Sequence, residues 1–307
     1  MYDRSDPRGA LSTVSTTRAN PDTPIAPAQY IEFDSLECDE ATPLGTEHWI
    51  TRAQNLLIVR TKLQPHDPVV SRSPYEHVVI LPGSSDRLRI ESGGEGIDIE
   101  GVALAVVAPG MSTVEAEAPV DVVRLFDVRD TDVASRARNR DVYAQPDLRV
   151  TPVIPWPDPV QSEPIRAYHI DDYPPEPGRF GTMFRTSSFM INFIDPQWGP
   201  RDPEKLSPHH HDDFEQVSLA VEGTWTHHIR TPWTSRKSRW REDEHVVVGS
   251  PSIAIIPPPT VHTSEASGDH LNRLIDIFSP PRDDFSRQVG WVLNANDYPT
   301  RPGLDVS

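Results

Sequence analysis

Apolar residues come in short bursts along this chain, and polar runs containing glycine or proline separate them. The stretches 55–63, 76–81, 87–91, 102–107 and 120–128 carry the aliphatic and β-branched residues that fit a half-buried pleated surface. A second series follows at 187–194, 215–221, 224–230, 245–248, 252–256 and 271–278. No stretch sustains a convincing long amphipathic helical period, and 33 prolines in 307 residues work against long helices. The pattern therefore predicts an all-β chain built as two sandwiches or small barrels. Between the two series, residues 130–165 turn charged and then proline-rich, with Pro152, Pro155, Pro157, Pro159 and Pro164, as suits a semi-rigid linker. Residues 1–27 are polar without apolar period and read as a disordered arm. The expected division is an arm at 1–27, a first unit at 28–137, a linker at 138–165, a second unit at 166–299 and a tail at 300–307.

The two units read as one repeated motif. Glu76 opens an apolar strand that reaches Gly83, and Glu215 opens one that reaches Gly223. Val123-Arg-Leu-Phe-Asp-Val128 parallels Asn272-Arg-Leu-Ile-Asp-Ile277, which pairs Arg124 with Arg273 and Asp127 with Asp276. A feature common to both halves, like this Arg/Asp pair, reads as structural.

Composition narrows the function. Lys and Arg total 29 against 46 Asp and Glu, a formal charge of −17. That balance argues against nucleic acid and against anionic membrane as partners, since both need a basic footprint. Apolar runs such as 253–256 are far too short to span a bilayer, and the polar N-terminus does not look like a signal peptide, so the cytoplasm is the expected compartment. The single cysteine, Cys38, can form no intrachain disulfide and excludes a cysteine-built metal cluster.

Eight of the twelve histidines lie between His209 and His270. In Pro208-His-His-His-Asp-Asp-Phe-Glu-Gln-Val217, an extended chain points His209, His211 and Glu215 to one face, with Val217, Leu219 and Val221 following them into a barrel interior. Two imidazoles and a carboxylate opening an apolar strand are costly to bury unless something binds them. One divalent transition metal answers that cost, with His262 as fourth ligand from a later strand. Three imidazoles and a carboxylate suit Fe, Mn, Ni, Zn or Cu and leave positions open for substrate. His210 has the opposite parity and should point away, and Gln216 reads as a strand-face residue. His227, His228 and Trp225, on the following strand, are weaker candidates for substrate contact.

The set His209-x-His211-x-x-x-Glu215, then Gly223, then Pro258 and His262, resembles the two motifs of the cupins, and the chain from 45 to 280 resembles a bicupin. The second motif departs from the family in lacking the asparagine expected soon after the histidine. The resemblance implies two double-stranded β-helix barrels of the jelly-roll kind, with the metal motif in the second only. In the first, the run before Glu76 reads Val70-Ser-Arg-Ser-Pro-Tyr75, and the counterpart of His262 falls near Ser112 or Thr113, which are poor metal donors.

A fold of this kind hosts many chemistries. The favoured expectation is an Fe(II)-type oxygenase acting on a small oxygen-bearing molecule, in a homodimer. A metal-dependent isomerase or lyase of sugar-acid type is the alternative, and a non-enzymatic binding or regulatory protein with a structural metal is a third reading.

Overall fold

The two series of apolar bursts become two barrels of antiparallel strands in a computed structural model that describes residues 23–304. The first barrel has a seven-stranded sheet in the order Ile165–His169, Ala103–Val107, His77–Leu81, Val120–Asp127, Leu56–Leu63, Glu47–Arg52 and Glu40–Ala41. Its second sheet is Val69–Ser73, Gly110–Glu115, Arg87–Ser92 and Glu95–Glu100. The second barrel repeats the plan, with Gln29–Glu32, Ser252–Ile256, Gln216–Glu222, Leu271–Phe278, Met190–Phe193 and Thr182–Arg185 in order, and Gln197–Trp198 also on Leu271–Phe278. Its smaller sheet is Glu244–Val248, Trp225–Arg230 and Val261–Ala266. Among the described residues no helix is long and apolar enough to cross a membrane.

Each barrel borrows an edge strand from the other half of the chain. Gln29–Glu32 pairs with Ser252–Ile256, Gln29 opposite Ile255, while Ile165–His169 pairs with Ala103–Val107, Ile165 opposite Val107. Boundaries drawn in sequence at 28 and 166 thus do not coincide with the sheets. The exchange covers edges that would otherwise offer unpaired backbone groups. Residues 1–22 of the expected arm lie outside the described residues. Residues 23–26 are tied down, for Arg149 donates to the carbonyls of Thr23 and Pro24, and Arg241 to those of Ile25 and Ala26. The proline-rich connection lies along the seam: Trp156 is buried, and Thr151 N–H donates to Asp213 (2.7 Å).

The two large sheets pack back to back. Val78, Ile80, Leu104, Val106, Val123 and Leu125 of the first meet Ile191, Val217, Leu219, Ile253, Ile255 and Ile275 of the second in one shared core. The alternate residues fill the barrels themselves: Val79 and Leu81 pack with Leu88, Ile90 and Val114, and Ala220 with Trp225, Val248 and Ala266. Strands buried on both faces read as continuous apolar runs, so hydrophobicity alone does not say which face is which. The expected facing is corrected accordingly. Val217, Leu219 and Val221 turn to the shared core, and Gln216, Ser218 and Ala220 alternate with them toward the barrel interior.

The repeat is present, with one change of register. Val78 pairs with Leu125 and Val79 with Arg124, while Val217 pairs with Ile277 and Ser218 with Asp276. With Glu76 matched to Glu215, the counterpart of Arg124 is therefore Asp276 and not Arg273, which faces Glu222 at 3.4 Å. Truncating Leu125 or Ile275 to Ala in the shared core should cost about 2–5 kcal/mol and leave a single unfolding transition in urea. Two separated transitions would mean the barrels fold independently.

Candidate metal centre

His209 and His262 stand opposite each other in an isolated bridge, each amide donating to the other's carbonyl (3.0 and 2.7 Å). Their rings are 4.4 Å apart, and the His211 ring lies 5.0 Å from the first and 5.2 Å from the second. One ring nitrogen from each of the three lies within 4.8 Å of the other two. His211 and His262 are buried and His209 is partly exposed, so the group opens toward solvent on the His209 side. Local backbone sets two of the rings. Nδ1 of His209 is 2.8 Å from the Ser207 carbonyl and Nδ1 of His262 is 3.1 Å from that of Thr260. A carbonyl only accepts, so Nδ1 of both rings donates, and Nε2 is the nitrogen each ring turns toward the group.

The fourth group is Gln216. Its Oε1 lies 3.0 Å from Nε2 of His211 and 3.2 Å from Nε2 of His262. The amide cannot be turned around, because Nε2 of Gln216 donates to Asp276 Oδ1 and to Ser218 Oγ, both at 3.0 Å, and the Ser218 hydroxyl donates to the same carboxylate oxygen at 2.6 Å. Asp276 thus holds Oε1 toward the imidazoles.

His211 stacks on Phe214 (4.4 Å between centroids), and the Arg282 guanidinium sits over Phe214, Phe278 and Phe285. Burial, and then the positive Arg282, hold the His211 imidazole well below its ordinary pKa, so it is neutral; Arg282 Nη1 lies 3.5 Å from its Nδ1, and its Nε2 faces Gln216 Oε1. Three imidazoles and an amide oxygen are a reasonable donor set for a divalent first-row ion.

Glu215 is not in this group. Its carboxylate accepts from Gln54 N–H (2.6 Å) and the Tyr143 hydroxyl (3.2 Å), in the seam between the barrels. Burial there raises its pKa to about 7. The reason is local: the chain bends at residues 212 and 213, so the alternation that starts at His209 is broken before the strand begins at Gln216. Two signals point this way in sequence. Asp212-Asp213 favours a turn, and a glutamate recurs at position 76 in the half without the histidines. Glu76 does the mirror-image job, accepting from Ser187 N–H (3.1 Å), Ser187 Oγ (2.8 Å) and the Tyr298 hydroxyl (2.5 Å).

The weaker candidates separate. His227 is fully buried opposite Ser264, two residues along the strand from His262, with Nδ1 on Ser264 Oγ (2.9 Å) and no hydrogen-bond partner at Nε2 among the described residues. His228 faces the other way, in a surface group with His245 and Glu265, and Trp225 packs in the core with its indole donating to the Glu222 carbonyl (3.2 Å). Neither of these two meets the histidine group. His210 is exposed.

No family model matches the chain, and no curated protein matches it in sequence. In structure it is similar to an oxalate decarboxylase from Lactobacillus farciminis solved as a formate complex, with TM-score 0.55 and 11% identity over 85% of this chain and 89% of that one. It is similar to a mutant of Bacillus subtilis oxalate decarboxylase, with TM-score 0.55 and 12% identity over 86% and 80%. A further structure of the Bacillus subtilis enzyme, from work on its Mn(II) centres, gives 0.54 and 11% over 86% and 80%. The fold is a bicupin. In the first barrel, Ser71 lies opposite Ser112 where the second has His209 opposite His262. His77 there reaches Ser112 (3.1 Å) as Gln216 reaches His262.

Replacing His211 or His262 by Ala should remove most of the bound divalent metal measured by elemental analysis. Glu215→Gln should keep it, and Asp276→Asn should weaken metal affinity by about 10–100-fold. Loss of metal in Glu215→Gln with retention in Gln216→Ala would return the ligand role to the glutamate.

Proposed function

We propose that the chain is a metal-dependent enzyme whose second barrel holds one divalent ion through His209, His211 and His262, with Gln216 Oε1 beside them. The observation that carries this reading is the convergence of three imidazoles, two of them on an amide oxygen held in place by Asp276. Such an ion supplies Lewis acidity and, if iron, a site for O₂. All four donors are neutral, so the full dipositive charge is available to an anionic or enolic oxygen of a small substrate. The favoured reaction is oxygenation with Fe(II); Mn, Ni, Zn and Cu also suit the donors.

The protein's own groups then have defined tasks. The Ser207 and Thr260 carbonyls take Nδ1 of His209 and His262 and so turn their Nε2 atoms inward, and Asp276 keeps the Gln216 carbonyl oxygen rather than its NH2 toward the site. His227 is lowered to about 4 by burial, so it is neutral and its free Nε2 can hydrogen-bond a substrate oxygen.

A lyase is the second reading, favoured by the oxalate decarboxylases that share the fold. An oxygen electrode separates the two. With the Fe(II)-loaded chain and a panel of small enols, phenols and sugar acids, the proposal expects O₂ uptake that His211→Ala abolishes. Turnover with CO₂ release or isomerisation and no O₂ uptake would replace oxygenation by the second reading.

A further inference from the structure

The first barrel has a cavity of about 330 Å³ with a buried cation on its wall. Arg124 is 5% exposed and, among the described residues, has no carboxylate partner: Nη1 donates to Ser71 Oγ (2.7 Å), Nη2 to Thr61 Oγ1 (3.1 Å), and Nε finds no acceptor among them. Two neutral hydroxyls do not offset the cost of taking a guanidinium out of water. Burial pulls its pKa only to about 10, so the charge persists at neutral pH. His48, which shares Thr61 Oγ1 (2.9 Å), is lowered by burial to about 4 and adds no charge.

The remaining charged groups on the wall are Arg72, Arg136, Glu40 and Asp132. Both carboxylates are engaged by Arg136, at 2.9 and 3.3 Å. Three guanidiniums thus face two carboxylates, a locally positive cavity in a chain of net charge −17. The rest of the wall is apolar, including Ile50, Val59 and Phe126. The matching position in the second barrel holds Asp276, whose charge is used on Gln216.

We propose that the first barrel is a metal-free binding site for a small organic carboxylate, whose charged end pairs with Arg124 and whose apolar body rests on Ile50, Val59 and Phe126. This is independent of the metal centre and of the reaction assigned to it. A carboxylate supplies the acceptors that the guanidinium lacks, and the mixed wall favours an organic anion over an inorganic one.

Calorimetric titration of the full chain with benzoate, hexanoate, benzyl alcohol and inorganic phosphate tests this, before and after metal is stripped with a chelator. The expected result is one-site binding of a carboxylate, unchanged by stripping, with benzyl alcohol and phosphate much weaker. Arg124→Met should weaken it by about tenfold or more. Val70→Trp, which places a ring at an exposed position on the cavity wall, should block it even if Arg124→Met fails to fold. No saturable binding of either carboxylate up to about 10 mM would overturn the proposal. So would binding lost on stripping, full affinity in Arg124→Met or in Val70→Trp, or phosphate bound as well as benzoate.

Discussion

Back-to-back packing of the two large sheets is the constraint on which the rest of the structure depends. It gives the central strands two buried faces, one in the shared core and one inside a barrel. The shared face must be apolar, so polar groups of these strands can only point inward. Gln216, Ser218 and Asp276 take that course in the second barrel, and His77 and Arg124 in the first. The exchanged edge strands and the two glutamates reaching across the seam fix the barrels to each other, so the inward-facing groups are held from both sides.

The same fold thus carries opposite charge at matching positions. Asp276 accepts from an amide whose oxygen faces two of the three imidazoles, His211 and His262, an arrangement suited to a cation. Arg124 sits where Asp276 would, with serines in place of histidines around it. Buried charge without a counter-charge is costly, and the two interiors present opposite charges at this position. Two like frames thus differ in a few side chains at matching positions.

Much of this is legible in the sequence. The all-β architecture follows from short apolar bursts closed by glycine and proline, and the repeat from recurring strand anchors. The three histidines that meet are three of the four residues that spacing selects. Glu215 fails because the parity rule needs an unbroken extended chain, and Asp212-Asp213 bends it. Its recurrence as Glu76, in a half without histidines, marks it as a strut by the same logic that marks other shared residues as structural. That logic misleads for Arg124, since sequence matching aligned it with Arg273 while the strand register aligns it with Asp276. Strand exchange left no signal, because the exchanged strands, Gln-Tyr-Ile-Glu32 and Ile-Arg-Ala-Tyr-His169, are short and of mixed polarity.

The central claim is that Gln216, and not Glu215, completes the histidine group. A crystal structure of the metal-loaded chain tests it most directly. The account predicts one ion bonded to His209, His211 and His262, with Gln216 Oε1 as the nearest side-chain oxygen and Glu215 still on Gln54 and Tyr143. An ion bonded to Glu215, with its seam contacts broken and Gln216 turned away, would contradict it.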